Sequence, residues 1–316
     1  MKNHTSAVST VTTASGKKKI REPYKLFLYI LPCLVFIFIF KYLPLWGWSF
    51  AFFQYKPGMS LANCDFVGLE NFRRLFGNPV MRDNLIRVLR NTFAIQGLNF
   101  LLMPVPMLFA IFLSEVSSKR FQKVVQTVTT LPHFISWVIM FSLASNLLGT
   151  NGLLNTILHN LGFDVTINIL NSRNHVWLTQ ALLALWKSMG WNAIIYFAAI
   201  SGLDQGVYEA AMVDGASRWQ KIRYLTIPLL IPTFFVLLIM SIGNFLNCGI
   251  DQFLAFGNAL NKDTIEVLDL YVYNLGIGSG QISFSVAVGI MKSLVAVVLF
   301  STANYASKKV RSTSIF

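Results

Sequence analysis

Charged residues are scarce in this chain. They make up 12% of its 316 residues, about half of the one-quarter that is usual in soluble globular domains. Apolar residues make up 54%. Several apolar segments of about 20 residues each, the length that crosses a bilayer as a helix, would account for this deficit. The composition therefore predicts an all-α polytopic membrane protein.

Residues that bind metals or form disulfides are also few. The chain has three cysteines and four histidines. Cys33, Cys64 and Cys248 are far apart and form no CxxC pair, and the histidines show no metal-ligand spacing. The sequence therefore predicts neither a metal site nor a disulfide framework.

Motifs for nucleotide binding and catalysis are missing as well. The sequence contains no GxxxxGK[ST] phosphate-binding loop, no HExxH and no GxSxG. We therefore expect the chain itself to bind no ATP and no other cofactor, and to have no catalytic residues. The sequence predicts a protein that is not an enzyme.

The net charge of +13 could indicate a partner made of nucleic acid. Basic patches that bind phosphate backbones lie on soluble faces. Here the Lys and Arg residues cluster at the ends of apolar segments instead, which is typical of membrane topology. We therefore expect no nucleic-acid partner.

Six apolar segments are long enough to cross a bilayer. The first could be a secretory signal peptide, but it is too long for one and no small-x-small cleavage site closes it. The predicted spans are Leu26–Phe53, Asn91–Glu115, Lys123–Leu148, Val176–Gly202, Ile227–Ile250 and Ile282–Tyr305. The predicted organisation is a flexible basic cytoplasmic tail (1–25), a six-helix transmembrane domain (26–306) and a basic cytoplasmic end (307–316).

The distribution of Lys and Arg predicts that both termini are cytoplasmic. With the termini inside, the cytoplasmic segments hold fifteen basic residues, against eight in the outer segments and their flanks. This excess follows the positive-inside tendency. The outer residues are Lys56, Arg73, Arg74, Arg82, Arg87, Arg90, Arg173 and Lys262.

Most of the outer basic residues lie in the first outer loop, where an amphipathic helix in the membrane interface would explain them. Four apolar residues there recur at helical spacing, and two arginines lie on the opposite face. The apolar residues are Phe66, Leu69, Phe72 and Phe76, and the arginines are Arg73 and Arg74.

The polar stretch Glu209–Pro228 separates the fourth and fifth predicted spans. Its first residues are small and predict a short helix that another surface can approach closely. Ser217 and Gln220 have the S-x-x-Q form of a capping box and predict a second helix that ends before Pro228. Such a helix–turn–helix could be a docking surface for a partner protein, or an ordinary amphipathic connector at the lipid headgroups.

This stretch resembles the EAA motif, EAA-x3-G-x9-[IL]-x-[LI]-P, of the membrane subunits of binding-protein-dependent ABC importers. The sequence reads YEAAMVDGA followed by Leu225, Ile227 and Pro228 at the motif's spacing. One departure is Gly206, where the family often has proline. The resemblance implies that the loop 203–226 couples this chain to an ATPase. The coupling residues would be Tyr208, Glu209, Ala210, Ala211, Asp214, Gly215, Ala216 and Arg218.

Three further segments, Lys41–Pro57, Phe66–Phe76 and Thr130–Ile139, look like the LplB-like polysaccharide and complex-oligosaccharide permeases. The resemblance implies a type I ABC importer permease in the cytoplasmic membrane. It also implies several partners. These are a homologous second permease, an ABC ATPase dimer that uses ATP and Mg, an extracytoplasmic solute-binding protein and an oligosaccharide substrate.

Polar and aromatic residues at membrane depth are candidates for a sugar path. Asn244, Asn247 and Asp251 follow an i, i+3, i+7 pattern, which places them on one helical face. The candidates are Trp186, Trp191, Asn192, Tyr196, Asn244, Asn247, Asp251 and Gln252. Hydrogen bonds between helices and aromatic belts are the alternative roles.

Lysines and prolines within the spans add further hypotheses. Lys41 and Lys292 could face substrate carboxylates, or they could snorkel or pair with an aspartate such as Asp251 or Asp269. Prolines predict breaks in two helices. These prolines are Pro104 and Pro106 in the second span and Pro132 in the third.

The leading functional hypothesis is therefore an importer permease that moves an oligosaccharide or polysaccharide by alternating access. The rival hypothesis is an ion-gradient-driven secondary transporter or a channel that acts without an ATPase. Secondary transporters often have ionisable residues at mid-membrane and inverted repeats. We find no convincing repeat and few such charges, which favours the importer permease.

Overall fold

A computed structural model describes residues 21–170 and 172–311. Most of the predicted cytoplasmic tail and the last five residues of the chain lie outside this range. The described residues form α-helices joined by 3₁₀ and π segments, with one isolated antiparallel bridge between Phe53 and Phe66. The prediction of an all-α fold is confirmed.

The chain divides into two compact units, Met1–Ser49 and Phe50–Phe316. In the first unit, helix α1 (Arg21–Ile37) continues as a π segment, Phe38–Tyr42, and then as a 3₁₀ segment that begins at Leu43. Exposed apolar side chains surround this helix on every side. A helix that is apolar all round is typical of a membrane span.

The second unit contains the remaining helices. In its first half they are α2 (Glu70–Gly77), α3 (Pro79–Leu102), α4 (Pro104–Ser114), α5 (Lys119–Thr130), α6 (Trp137–Leu148), α7 (Leu153–Asn160) and α8 (Val176–Ser201). In its second half they are α9 (Gln205–Val213), α10 (Arg218–Lys221), α11 (Ile227–Gly243), α12 (Asp251–Phe256), α13 (Lys262–Ile265), α14 (Leu268–Tyr273) and α15 (Ile282–Arg311).

Five helical segments of the described residues are long and apolar enough to cross a membrane: Phe27–Phe52, Pro79–Ser114, Trp137–Asn160, Arg218–Gly243 and Ile282–Tyr305. Helix α8 coincides with the fourth predicted span and has 26 residues. It is not among the five, since it is less apolar than they are. The count of six spans and the side of the termini therefore stay predictions.

The predicted helix breaks at prolines are confirmed. Helix α3 ends at Leu102 and α4 begins at Pro104. In the third predicted span, a 3₁₀ segment that contains Pro132 separates α5 from α6. Proline has no backbone N–H and is therefore favoured in the first turn of a helix. Pro104 begins α4, and Pro132 lies in the first turn of the 3₁₀ segment.

The second span begins well before its predicted start at Asn91. Asn78 is the N-cap of α3, since its side chain accepts a hydrogen bond from the Val80 N–H at 3.0 Å. The first turns of α3 are polar and carry Arg87, which pairs with the buried Glu266 at 2.7 Å. Hydropathy marks only the apolar part of a helix, so this polar extension was missed.

The first outer loop forms a shorter helix than predicted. Helix α2 begins at Glu70, and its inner face buries Asn71 and Leu75, whereas Phe66 and Leu69 are exposed and precede the helix. The Asn71 amide donates to the carbonyl oxygen of Ala51 at 2.8 Å. This buried hydrogen bond holds α2 against the chain at Ala51, whereas Phe76 is exposed, like Phe66 and Leu69.

Helix α8 lies at the centre of the second unit, where it packs against α3, α4 and α5. Gly190 lets α8 approach α5 closely, because a β-carbon at this position would lie 2.3 Å from the backbone carbonyl of Thr129 in α5. Tyr196 of α8 is buried in an apolar cluster with α4 and α11. Helices α11 and α15 pack against each other.

Candidate functional site

The loop 203–226 presents a short, almost fully exposed helix. Helix α9 begins after Asp204, whose side chain accepts a hydrogen bond from the Gly206 N–H at 2.8 Å. None of the residues in α9 is buried. The helix tip exposes apolar surface to the solvent, since Val213 is 88% exposed and Met212 is also exposed. These two neighbouring residues leave the end of α9 accessible to a partner.

Gly215 ends α9 in a Schellman motif. Its φ of +78° lies in the left-handed region. The Gly215 N–H donates to the Met212 oxygen at 3.1 Å, and the Ala216 N–H donates to the Ala211 oxygen at 2.9 Å. These are the two hydrogen bonds of the motif. No atom lies within 4 Å of the place where a β-carbon would be, so the backbone conformation alone requires glycine here.

The predicted capping box is present. The Ser217 side chain accepts from the Gln220 N–H at 3.3 Å, and the Gln220 side chain accepts from the Ser217 N–H at 2.7 Å. Both interactions together start α10. The neighbouring Arg218 is exposed, as expected for a residue that faces solvent or a partner.

The second helix of the loop does not end before Pro228, so that prediction is wrong. Helix α10 continues through a π segment, Ile222–Thr226, into α11, and the whole run Arg218–Gly243 is helical. Pro228 lies in the first turn of α11. The wider π turn precedes this proline, which cannot donate a backbone hydrogen bond.

One hydrogen bond ties α9 to this continuous helix. The Tyr208 hydroxyl lies 2.9 Å from the hydroxyl of Thr226, which is only 3% exposed. Sequence reasoning selected Tyr208 and missed Thr226. A threonine within the apolar segment after Tyr224 was the available signal. Of the α9 residues, Tyr208 and Ala211 face inward in part, while Glu209 and Ala210 are exposed.

We predict that Tyr208→Phe loosens α9 without unfolding the protein. A neutral hydrogen bond contributes about 1 kcal/mol, so trypsin cleavage after the exposed Arg218 should become roughly fivefold faster. The rate is measured by limited proteolysis in detergent. Tyr224→Phe is the control and should leave the cleavage rate unchanged. Tyr224 is an exposed tyrosine on the helix Arg218–Gly243. Equal rates for Tyr208→Phe and wild type would contradict the tether.

A cavity of about 420 Å³ opens between α3, α4, α8 and α11. It brings together four of the predicted substrate-path residues, Asn192, Tyr196, Asn244 and Asn247. All polar side chains among its lining residues are amides or hydroxyls. They are Gln96, Asn99, Ser188, Asn192, Tyr196, Ser241, Asn244 and Asn247.

Sequence reasoning missed the contribution of α3 to this cavity. Gln96 and Asn99 both line it, and the Asn99 amide donates to the Gln96 side-chain oxygen at 3.1 Å. Their i, i+3 spacing within an otherwise apolar segment was a signal for a shared face. Amides and hydroxyls can donate and accept hydrogen bonds, so this wall can bind the hydroxyl groups of a polar molecule.

The other four predicted residues lie outside the cavity lining. Gln252 is buried and donates to the main-chain and side-chain oxygens of Gln180, at 2.9 and 2.8 Å. It therefore joins α12 to α8, which is the alternative role. Asp251 is exposed at the start of α12, and Trp186 is half-exposed on α8.

Trp191 and Lys187 anchor the broken third span. The Lys187 ammonium donates to the carbonyl oxygens of Pro132, His133 and Ile135, at 3.1, 2.8 and 2.5 Å. The Trp191 ring stacks on the His133 imidazole, with centroids 4.4 Å apart. Lys187 satisfies carbonyl groups that the 3₁₀ break releases, and Trp191 packs against a residue of the same break, so these two side chains position the span.

The predicted common face of Asn244, Asn247 and Asp251 does not form, and the fifth span does not reach Ile250. Helix α11 ends at Gly243, and Asn244 is its C-cap. The chain stays non-helical until α12 begins at Asp251. Asn244 and Asn247 nevertheless come together, because the Asn247 amide donates to the Asn244 side-chain oxygen at 3.3 Å.

The two lysines of the spans have different surroundings. Lys292 pairs with Asp269, which is one of the partners that the sequence suggested. Lys41 is exposed within the first unit. Neither lysine is among the residues that line the cavity.

Comparison with known proteins covers nearly the whole chain. Residues 103–312 match the family described as binding-protein-dependent transport system inner membrane component. In Bacillus subtilis (strain 168), the polygalacturonan/rhamnogalacturonan transport system permease protein YteP is 38% identical over 95% of this chain and 92% of its own. Protein LplB of the same organism is 36% identical over 92% and 91%.

Among solved structures, a chain of a bacterial alginate ABC transporter in complex with an alginate pentasaccharide-bound periplasmic protein is similar, with a TM-score of 0.83. It shares 33% sequence identity, and the match covers 94% of this chain and 99% of that one. This chain is therefore a multi-pass membrane protein that belongs to the family of binding-protein-dependent transport system inner membrane components.

Proposed function

We propose that this chain is one of two permease subunits of an ABC importer for oligosaccharides or polysaccharide fragments. The observation that carries the proposal is that the EAA-type residues lie on α9, an exposed helix with no buried residue. The similarity to YteP and to the alginate transporter chain supports a sugar substrate. A homologous second permease would complete the path across the membrane.

The loop 203–226 is proposed as the part that receives the work of ATP hydrolysis. The tip of α9 would lie in a cleft of a partner ATPase, which binds ATP and Mg. Closure of the ATPase dimer then moves α9, and the hydrogen bond between Tyr208 and Thr226 passes this movement to the helix Arg218–Gly243. That helix ends at the cavity wall, so movement at the loop changes access to the cavity.

The cavity between α3, α4, α8 and α11 is proposed as this chain's half of the sugar path. Its amides and hydroxyls offer donors and acceptors for sugar hydroxyl groups, and Phe100 and Tyr196 add aromatic surface. A solute-binding protein would deliver the sugar from the outer side. Asn192, Tyr196, Asn244 and Asn247 are the proposed contacts, while Trp191 and Gln252 support the surrounding helices.

The proposal is tested with the complete transporter in proteoliposomes, assembled from both permeases, the ATPases and the binding protein. Uptake of oligogalacturonates should require ATP inside the vesicles and the binding protein outside. Uptake by this chain alone, driven by an ion gradient and independent of ATP, would support the rival secondary transporter and overturn the proposal.

We predict that Asn192→Ala weakens uptake through the cavity. The substitution removes one hydrogen-bonding side chain, so the half-saturating sugar concentration should rise about threefold to tenfold at an unchanged maximal rate. Ile194→Ala is the control, since Ile194 lies on α8 outside the cavity lining. An unchanged half-saturating concentration in Asn192→Ala would remove this residue from the path.

A further inference from the structure

The segment between α11 and α12 forms part of the cavity wall as a turn, in which the Asn247 N–H donates to the Asn244 oxygen at 2.8 Å, followed by an irregular stretch. It runs from Asn244 to Ile250, and its Asn244 and Asn247 line the cavity. Gly249 in this segment has a φ of +76°. A non-helical backbone at membrane depth is tolerated where protein or a water-filled cavity satisfies its polar groups.

A single carboxylate from another element satisfies two of these backbone groups. The N–H groups of Cys248 and Gly249 donate to Oδ2 of Asp269, at 2.8 and 3.1 Å. Asp269 lies in α14 and is far from this segment in sequence. Successive N–H groups that converge on one anion form a fixed geometry, so Asp269 sets where the segment lies.

The other oxygen of the Asp269 carboxylate pairs with a lysine side chain of α15. Oδ1 of Asp269 accepts from the ammonium of Lys292. The two side chains are only 16% and 14% exposed, so water screens neither charge well. A charge in such a place is costly unless it is paired. Asp269 therefore contacts Lys292 through one oxygen and accepts both backbone hydrogen bonds through the other.

We propose that Asp269 and Lys292 form a positioning latch that fixes the cavity wall at Asn244 and Asn247 and so sets the affinity for the transported sugar. The latch joins three elements, α14, α15 and the Asn244–Ile250 segment, and neither of its residues lines the cavity. The affinity part of this inference rests on the proposed function, whereas the positioning part does not.

The two charges and the hydrogen-bond acceptor can be separated with double variants. Asp269→Asn with Lys292→Met removes both charges and keeps a side-chain oxygen for the two N–H groups. Asp269→Ala with Lys292→Met also removes both charges but leaves no acceptor. Both double variants avoid an unpaired buried charge, so both should accumulate in the membrane.

The first measurement needs no sugar. Cys248 lies in the latched segment and is half-buried, so its rate of alkylation by N-ethylmaleimide reports release of the segment. The background carries Cys33→Ala and Cys64→Ala in the assembled transporter. In the alanine double variant alkylation should be about tenfold faster, as expected when hydrogen bonds to a charged group are lost. In the asparagine double variant it should stay within about twofold of the parent.

The second measurement is uptake of a galacturonate trisaccharide and pentasaccharide by the same variants in proteoliposomes. The alanine double variant should raise the half-saturating concentration about tenfold at a similar maximal rate, and the asparagine double variant should restore it. Equal behaviour of the two double variants would overturn the latch and leave only a structural ion pair. Loss of affinity in the asparagine double variant, with normal alkylation, would instead make Lys292 a substrate contact and overturn it too.

Failure of the latch and failure of the proposed function give different results. If the parent transporter takes up neither sugar with ATP and the binding protein present, the proposed sugar function fails. The alkylation rates then still decide whether Asp269 positions the segment. Parent-like alkylation in the alanine double variant would overturn the positioning itself.

Discussion

Gly215→Trp should abolish sugar uptake while the protein still accumulates in the membrane. The position has a φ of +78°, which costs roughly 1–2 kcal/mol for a residue with a β-carbon. No atom lies within 4 Å of that β-carbon, so the substitution creates no overlap where the side chain leaves the backbone. The indole would project from the end of α9, where the ATPase is proposed to dock, and block close approach.

We expect uptake to fall by a factor on the order of 100, since the strain and the blocked docking act together. Uptake is measured in proteoliposomes, and binding of the ATPase is measured by co-purification. Gly162→Trp is the matched control, because Gly162 also has a positive φ, of +83°, and no atom within 4 Å of its β-carbon position. That variant should retain the ATPase. Normal uptake by Gly215→Trp would contradict the coupling role of the loop.

Gly215→Asn separates the two effects. Asparagine tolerates the left-handed region better than other residues with a β-carbon, so α9 should end normally and proteolysis of the loop should match wild type. If close approach of the ATPase matters, uptake stays low in this variant. Restored uptake would assign the role of Gly215 to backbone conformation alone.

The sequence was informative about the loop 203–226 because its signals are local. The capping box at Ser217 and Gln220 requires only residues three apart, and Gly215 ends a helix by its own conformation. The capping box is present as predicted, whereas the short helix begins earlier than Glu209 and ends before Gly215. The continuation of α10 into α11 was not predictable in the same way, because Pro228 usually marks a helix start and a π turn leaves no sequence signature.

The sequence predicted only part of the cavity lining, because the signal there is polarity and not a local motif. Asn192, Tyr196, Asn244 and Asn247 were selected because polar residues at membrane depth are costly. The same criterion also selected Gln252, which is buried against another helix instead. Polarity shows that a residue needs a partner, whereas tertiary packing decides whether that partner is a neighbouring helix or a cavity.

The end of the fifth span shows how a distant residue overrides a local pattern. Hydropathy and spacing extended this helix to Ile250, but α11 stops at Gly243. The backbone N–H groups of Cys248 and Gly249 then donate to Asp269, about twenty residues further along the chain. A single sequence contains no signal for such a long-range acceptor, so its effect on the helix end could only be seen in the structure.

Gly190→Ala should destabilise the protein even though it adds only one methyl group. Its β-carbon would lie 2.3 Å from the carbonyl carbon and oxygen of Thr129 and 2.6 Å from the nitrogen of Thr130. These are backbone atoms, so no side-chain rotation can relieve the overlap. Helices α8 and α5 would have to separate, at a cost of about 1–3 kcal/mol or more.

The separation would also disturb the contacts on either side of Gly190 in α8. Lys187 donates to carbonyl oxygens of the 3₁₀ break, and Trp191 stacks on His133. Both contacts depend on the close approach of the two helices, since small residues at an interface let helix backbones come together. We therefore expect Gly190→Ala to lower the midpoint of thermal unfolding in detergent by a few degrees, at about 2 °C for each kcal/mol lost.

Gly97→Ala in α3 makes the same chemical change where no atom lies within 4 Å of the new β-carbon. Alanine has a higher helix propensity than glycine by about 1 kcal/mol, so this variant should unfold at the same temperature as wild type or slightly higher. Opposite shifts in the two variants would assign the loss to the α5–α8 contact. A Gly190→Ala protein as stable as Gly97→Ala would show that α8 does not need this contact to hold the broken third span.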